Sequence, residues 1–184
     1  MKNNARVVVI GGGVVGVSTL YHLVKKGWTD CVLIERKELT SGSTWHAAGL
    51  LPLFNMSYSV GQIHKYSVDL YGRLEEETGQ YAGLSRVSNI RLATTQDRMD
   101  EYKQYAGVAQ TIGVQVDILT PDEVVDIWPL AVKDNLIGAI RHPMDGYIQP
   151  ADLTQALAKG ARDIGGQIYR NTNVTAITRT QSGE

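Results

Sequence analysis

The chain opens on a β-branched run, Val7-Val8-Val9-Ile10, with no polar interruption, the pattern of a strand buried on both faces. Glycines at 11, 12, 13 and 16 follow it. Leu20, Leu23 and Val24 then recur at helical spacing up to Lys26, and Gly27 stands where a helix stops. A second apolar run, Cys31-Val32-Leu33-Ile34, ends in Glu35-Arg36. Together these predict one βαβ unit with parallel strands and a right-handed crossover.

Residues 37–61 show no period and read as a long loop rich in Gly, Ser, Thr and Ala, too apolar for disorder. Helical spacing returns at Ile63, Tyr66, Leu70 and Leu74, with Gly79 as the stop. Beyond it the pattern predicts strands at 89–94, 114–119 and 136–141 and a helix at 98–111. Thr120-Pro121-Asp122-Glu123 is a capping box with proline at the first helical position. Asp145-Gly146 reads as a turn, Pro150 opens a helix through Ile164 closed by Gly165-Gly166, and 168–170 and 174–178 read as extended chain. A doubly wound sheet needs more strands than these, and residues 179–184 are polar where a return strand is expected. The expectation is the N-terminal part of something longer.

Composition narrows the class. Hydrophobic residues at 43% and charged residues at 20% exclude a disordered chain. A net charge of −1, without a Lys/Arg block, argues against nucleic-acid and electrostatic membrane binding. No apolar run approaches the ~18 residues of a bilayer span, and the first residues lack a signal-peptide pattern. The lone Cys31 cannot form an internal disulfide, suits a reducing compartment and reads as an inert core residue. No His/Cys/Asp cluster has metal-ligand spacing, and no Ser-His-Asp set suggests a hydrolase. His22, His64 and His142 read as surface or cap residues, and Glu75-Glu76-Glu77 as the solvated end of a helix.

The glycine cluster carries the chemistry. Gly11-x-Gly13-x-x-Gly16 follows a strand and opens a helix, the context a dinucleotide-binding turn requires. Its first glycine permits the tight turn, its second lets backbone approach a pyrophosphate, and its third lets helix and strand pack closely. Amides at the helix N-terminus and the helix dipole then hold the phosphates. Glu35 ends the next strand, placed to accept hydrogen bonds from a ribose and to repel a 2′-phosphate. The fingerprint alone leaves NAD and FAD open. Gly42, Ser43, Thr44, Ala47, Ala48 and Gly49 form a second small-residue segment that lets backbone pass close to a bulky planar ligand, and FAD is long enough to need it.

Residues 35–50, Glu-Arg-Lys-Glu-Leu-Thr-Ser-Gly-Ser-Thr-Trp-His-Ala-Ala-Gly-Leu, closely resemble the dimethylglycine/sarcosine dehydrogenase family of amino-acid-oxidase-like FAD oxidoreductases. The resemblance continues through residues 70–80, 90–95, 145–150 and 156–162, with Gln149 where relatives often have Asp. It implies an α/β fold: a Rossmann-like FAD-binding domain with part of an inserted α+β substrate domain. The expected divisions are 1–85 and a truncated 146–184 for the FAD-binding portion, and 86–145 for the insert.

In that family the matching histidine, His46 here, carries FAD covalently through a ring nitrogen bonded to the flavin 8α-methyl carbon. The resemblance further implies that Val14 and Val15 face the pyrophosphate and that Glu35 and Arg36 hold the adenosine ribose. Gly42, Ser43, Thr44, Trp45, His46, Ala47, Ala48, Gly49 and Leu50 wrap the pyrophosphate and the isoalloxazine edge, and Val174 holds the adenine by its backbone. Trp45 packs on the flavin or fills core. The implied reaction is hydride transfer from the N-methyl carbon of a neutral amine to flavin N5, leaving an iminium. Water then releases formaldehyde, or tetrahydrofolate in a further domain captures the one-carbon unit. Electrons pass to an electron-transfer flavoprotein or to oxygen. The implied compartment is the bacterial cytoplasm, or the mitochondrial matrix after loss of a transit peptide. Rival readings are a different secondary or tertiary amine such as methylaminobutanoate, and a regulatory relative without turnover. The matching segments assign no substrate-contacting residue.

Overall fold

The structure, a computed structural model, describes residues 2–179. The chain divides into two units: Met1–Gly49 with Arg73–Gly83 and Gln149–Glu184, and Leu50–Gly72 with Leu84–Ile148. Among the described residues no helix is long and apolar enough to cross a membrane.

The first unit is built on β1 (Val7–Ile10), α1 (Val14–Lys25) and β2 (Cys31–Ile34), the βαβ unit the pattern predicts. A late strand, β9 (Gln167–Tyr169), joins β2 in parallel, so the sheet order is β1-β2-β9 with Val9 opposite Leu33 and Leu33 opposite Ile168. β2 lies at the centre with Cys31, Val32 and Leu33 buried, and burial pushes the Cys31 thiol up from its ordinary value. β1 departs from expectation. It is an edge strand of this sheet, with Val8 and Ile10 47% and 53% exposed, so an apolar run did not mean two covered faces. Residues 174–178 lie in no strand, and 180–184 fall outside the described residues.

Helix α5 (Pro150–Asp163) buries Leu153, Ala156, Leu157 and Ala161 and packs on α1. A Cβ at Gly160 would lie 2.9 Å from the Tyr21 ring, so glycine there sets how closely the two helices approach. The long helix α2 (Tyr58–Thr78) starts ahead of Ile63, because its first turn carries no apolar stripe to announce it. Its last turn corrects the reading of Glu77 as merely solvated. Glu77 accepts from Tyr21 Oη at 2.6 Å, Lys25 Nζ at 2.7 Å and Arg73 Nε at 2.7 Å. Those bonds, Lys25 first, hold its carboxyl down at about 2.

The second unit has two antiparallel sheets. One is β5 (Asn89–Ala93), β7 (Gly138–His142) and β6 (Asp117–Leu119) in the order β5-β7-β6. Helix α3 (Gln96–Ile112) starts where Thr95 accepts from Arg98 N–H and stops at Gly113, φ 77°. Its Tyr102, Tyr105, Ala109 and Ile112 form a core with Leu53, Val68, Ala93 and Ile140. Helix α4 (Pro121–Ile127) opens with the expected capping box and places Val124 against Leu119, Leu136 and Ala139. The other sheet, β3 (Leu50–Leu51), β8 (Gly146–Ile148) and β4 (Leu84–Arg86) in the order β3-β8-β4, is invisible in the sequence, since strands this short carry no period.

His142 also departs from expectation: it is fully buried against Phe54 and Tyr105, with neither ring nitrogen hydrogen-bonded. Burial lowers its pKa to about 4.

Gly107, inside α3, meets nothing within 4 Å of the position its Cβ would take. Gly107→Ala is expected to raise stability by about 0.5–1 kcal/mol through helix propensity. Thermal unfolding followed by circular dichroism should show a midpoint higher by roughly 1–4 °C, and an unchanged or lower midpoint refutes it.

Candidate functional site

The glycine turn is held by its own backbone. Gly11 adopts φ 111° and its N–H donates to Ile34 O at 2.9 Å, which ties the turn to the end of β2. A Cβ on Gly16 would sit 2.0 Å from Gly11 O, a separation no side chain tolerates, so helix and turn approach as only glycine allows. The first intrahelical bond is Val17 N–H to Gly13 O at 3.0 Å. The N–H groups of residues 13–16 therefore have no acceptor inside α1. Gly13 caps the helix without a side-chain bond, and the first turn carries no acidic residue. This end stays positive.

A second segment closes over that end. Residues Ser43–His46 form one turn of 3-10 helix. Thr44, buried at its centre, accepts from Val14 N–H through Oγ1 at 2.9 Å, and the same oxygen lies 2.9 Å from where a Gly13 Cβ would be. Val14 thus spends its amide on Thr44, while Val15, 78% exposed, leads the open side. Thr40, a β-branched residue at φ 70°, donates its N–H to Gly12 O at 3.0 Å and accepts Trp45 N–H at 3.4 Å. This brace went unread in the sequence, because nothing in a lone threonine signals a left-handed backbone.

Glu35 sits beside the turn. One carboxylate oxygen accepts Gly12 N–H at 2.6 Å and the other accepts Lys37 N–H at 2.8 Å. A carboxylate offers about four acceptor directions, so two remain for a ligand. Its backbone accepts Thr172 N–H at 2.9 Å and donates to Tyr169 O at 2.8 Å, which draws residues 172–174 to the end of β2. The result is a cavity of about 290 Å³ lined by Ile10, Gly11, Ile34, Glu35, Arg36, Thr172, Asn173 and Val174. Gly11, Glu35, Arg36 and Val174 are therefore brought together. Thr172 and Asn173 were missed, although Asn171, left-handed at φ 54°, is the kind of residue that turns a chain there.

The rest of the predicted segment is looser. His46 Nδ1 lies 3.0 Å from Gly42 O, an acceptor only, so Nδ1 carries the proton of the neutral ring and Nε2 keeps its lone pair. The ring packs on Trp45 with centroids 4.7 Å apart, and Trp45 is 62% exposed, so it does not fill core. Ser43, Ala47 and Ala48 are exposed, Gly49 turns at φ 73°, and Leu50 belongs to β3 of the second unit.

A glycine turn, an uncapped helix end and an acidic residue at the next strand are the parts of a dinucleotide cradle. Residues 6–184 match the family DAO, FAD dependent oxidoreductase. The chain belongs to this family of FAD-dependent oxidoreductases. It is 43% identical to the dimethylglycine dehydrogenase, mitochondrial, of Rattus norvegicus over 99% of this chain and 21% of that protein. It is 39% identical to the sarcosine dehydrogenase, mitochondrial, of Homo sapiens over 96% of this chain and 19% of that protein. The crystal structure of L-proline dehydrogenase from P. horikoshii superposes with a TM-score of 0.89 at 26% identity, covering 98% of this chain and 48% of that one. The chain thus spans about a fifth of the length of these two dehydrogenases.

The residues present fit FAD. Glycine at 16 lets α1 start against the Gly11 carbonyl, and glycine at 13 leaves room for Thr44 Oγ1, so the turn presents backbone alone. The first-turn amides of α1 and its dipole suit a pyrophosphate. The free acceptor directions of Glu35 suit ribose hydroxyls and reject an added phosphate there.

Proposed function

We propose that the chain is the nucleotide-binding portion of an FAD-dependent enzyme that oxidises a small N-methyl amino acid of the dimethylglycine or sarcosine kind, with the flavin attached to His46. The observation that carries the reading is the convergence of the glycine-capped α1 N-terminus, Thr44 and Glu35 around one glycine turn, followed two residues after Thr44 by His46. When bound, FAD supplies the two-electron acceptor for a hydride leaving carbon next to nitrogen.

The chain's own residues bind and orient. The amides of residues 13, 15 and 16 neutralise the pyrophosphate, Glu35 fixes the ribose, and the backbone of residues 172–174 borders the adenine. Thr44 anchors the segment that bears His46 to the helix end through Val14. The Gly42 carbonyl fixes the imidazole tautomer, so Nε2 is the nitrogen that carries the flavin. The substrate's identity is supported by the two amine dehydrogenases among the relatives. Tetrahydrofolate and an electron-transfer flavoprotein belong to the same proposal as partners of the whole enzyme.

The test is the intact mass of the denatured protein after incubation with FAD, with flavin fluorescence of the same gel band. A mass raised by one FAD, and lost in His46→Ala, is expected. An unmodified mass in a protein that retains visible flavin would overturn the covalent link at His46. Anaerobic bleaching of that flavin by dimethylglycine or sarcosine checks the substrate class, and no bleaching by either refutes it.

A further inference from the structure

The loop after β2 carries an anchor that stands outside the nucleotide cavity. Residues 35–40 of this loop follow the glycine turn closely. Glu35 takes the Gly12 N–H, and Thr40 N–H donates to Gly12 O at 3.0 Å. Buried Leu39 lies so near that a Cβ on Gly12 would meet its Cδ2 at 2.6 Å. The backbone on both sides of Glu38 is therefore fixed by the turn.

From that base the Glu38 carboxylate reaches the chain leaving β9. One oxygen accepts from the Arg170 guanidinium and the other from Asn171 Nδ2 at 3.3 Å. Asn171 is the corner of this segment, left-handed at φ 54°, with its N–H donated to Lys37 O at 3.3 Å. A side-chain-bearing residue keeps such a backbone only where its surroundings hold it. Beyond the corner, Thr172 N–H donates to Glu35 O, and residues 172–174 form one wall of the cavity of about 290 Å³. Glu38 itself does not line that cavity.

We infer that Glu38 is a positioning residue for the adenosine end of the cofactor: it transmits the placement of the glycine turn to residues 172–174 by clamping Arg170 and Asn171. The ligand named rests on the function proposed above. Glu38 and Arg170 are each more than half exposed, so the pair acts by placing a wall and adds little to the core.

Titration of the whole chain with ADP and with FAD, together with amide hydrogen exchange read by nuclear magnetic resonance, tests this. Glu38→Ala is expected to weaken ADP and FAD by the same factor, about fivefold, near the most that an exposed ion pair supplies. The Asn171 and Thr172 amides should exchange at least threefold faster, while those of Gly11 and Val17 change less. Glu38→Arg sets two guanidinium groups together and should weaken ADP further. Glu38→Arg combined with Arg170→Glu restores the pair, and Asn171 can turn its amide oxygen to the new donor. ADP affinity of that double variant should return to within twofold of the wild type.

Unchanged exchange at Asn171 and Thr172 in Glu38→Ala overturns the clamp. Equal ADP binding by Glu38→Ala and the wild type overturns its role toward the ligand, as does a charge-swapped pair that restores nothing. A loss of FAD affinity far beyond that of ADP also overturns it, since Glu38 would then act on the flavin end. A wild-type chain that binds neither ADP nor FAD refutes the proposed function and this inference with it. A wild-type chain that binds both, with a Glu38→Ala variant that binds them equally well, refutes this inference alone.

Discussion

Gly16→Ala abolishes FAD binding and lowers the thermal midpoint of the chain by more than about 6 °C. The added Cβ would lie 2.0 Å from the Gly11 carbonyl oxygen and 3.1 Å from its carbon, both backbone atoms fixed by the Gly11 N–H bond to Ile34 O. Side-chain rotation offers no escape, so α1 must move off β1. Overpacking of this kind costs about 1–3 kcal/mol and more where backbone is the obstacle. A protein of this size loses roughly 2–4 °C per kcal/mol. The same movement displaces the first-turn N–H groups of α1 that would face the pyrophosphate, so cofactor affinity falls further than stability does. Titration of the purified variant with FAD, followed by quenching of flavin fluorescence, reads the first effect, and a melting curve reads the second. Gly107→Ala is the control, since its Cβ meets nothing and it lies in the other unit. Retained FAD affinity in Gly16→Ala would refute the role given to the turn.

The second large effect is a pH dependence that two substitutions uncover. Asp145 is buried, with Oδ1 accepting Leu53 N–H at 2.9 Å and Oδ2 unpartnered, and burial raises its carboxyl to about 6. A raised carboxyl pKa gives stability that is present below the ordinary value of 3.8 and lost as pH rises through about 6. His142 does the reverse. With its pKa lowered to about 4, it gives stability that is present above 6.5 and lost as pH falls through about 4. Arg91 faces both groups and Asp117 faces His142, lowering and raising their values by smaller amounts. The two slopes oppose each other over the same interval, so their sum is nearly flat in the native chain.

Asp145→Asn keeps an acceptor for Leu53 and leaves His142 alone. Its stability should fall by on the order of 3 kcal/mol between pH 6.5 and 4 relative to the native chain. His142→Gln should show the opposite, with stability rising on the order of 3 kcal/mol as pH drops from 6 to 4. Urea unfolding at four pH values across the interval measures both slopes. Parallel profiles for the native chain and both variants would sink this account. Glu77, held at about 2, gives stability that is lost as pH falls from its ordinary 4.5 toward 2, and it does so alike in the native chain and both variants.

The parts legible in the sequence are those whose physics is local. The βαβ unit was readable because β-branched runs, glycine spacing and the Gly27 stop all act within one element. The capping box at Thr120 was readable for the same reason, as both partners lie within four residues. His142 was misread because its burial comes from Phe54 and Tyr105, residues distant in the chain. Glu77 was misread because two of its three partners, Tyr21 and Lys25, lie on a helix about 50 positions earlier. At the candidate site, Gly11 and Glu35 carried signals of their own. Thr40 and Thr172 join the site through backbone bonds to partners that folding supplies.

The sheet under the nucleotide cradle imposes an order of assembly. β1 and β2 are complete once residue 34 has been made, but β9, which pairs with β2, arrives only at residues 167–169. The residues of the second unit, Leu50–Gly72 and Leu84–Ile148, all leave the ribosome in between. Closing so long a loop is slow, and local contacts form first. During synthesis the inserted unit therefore has its whole sequence before the flanking unit does. The cradle, whose Glu35 backbone waits for Tyr169 and Thr172, becomes competent for cofactor only after residue 172 has been made. Flavin capture by this cradle therefore follows synthesis of the inserted unit.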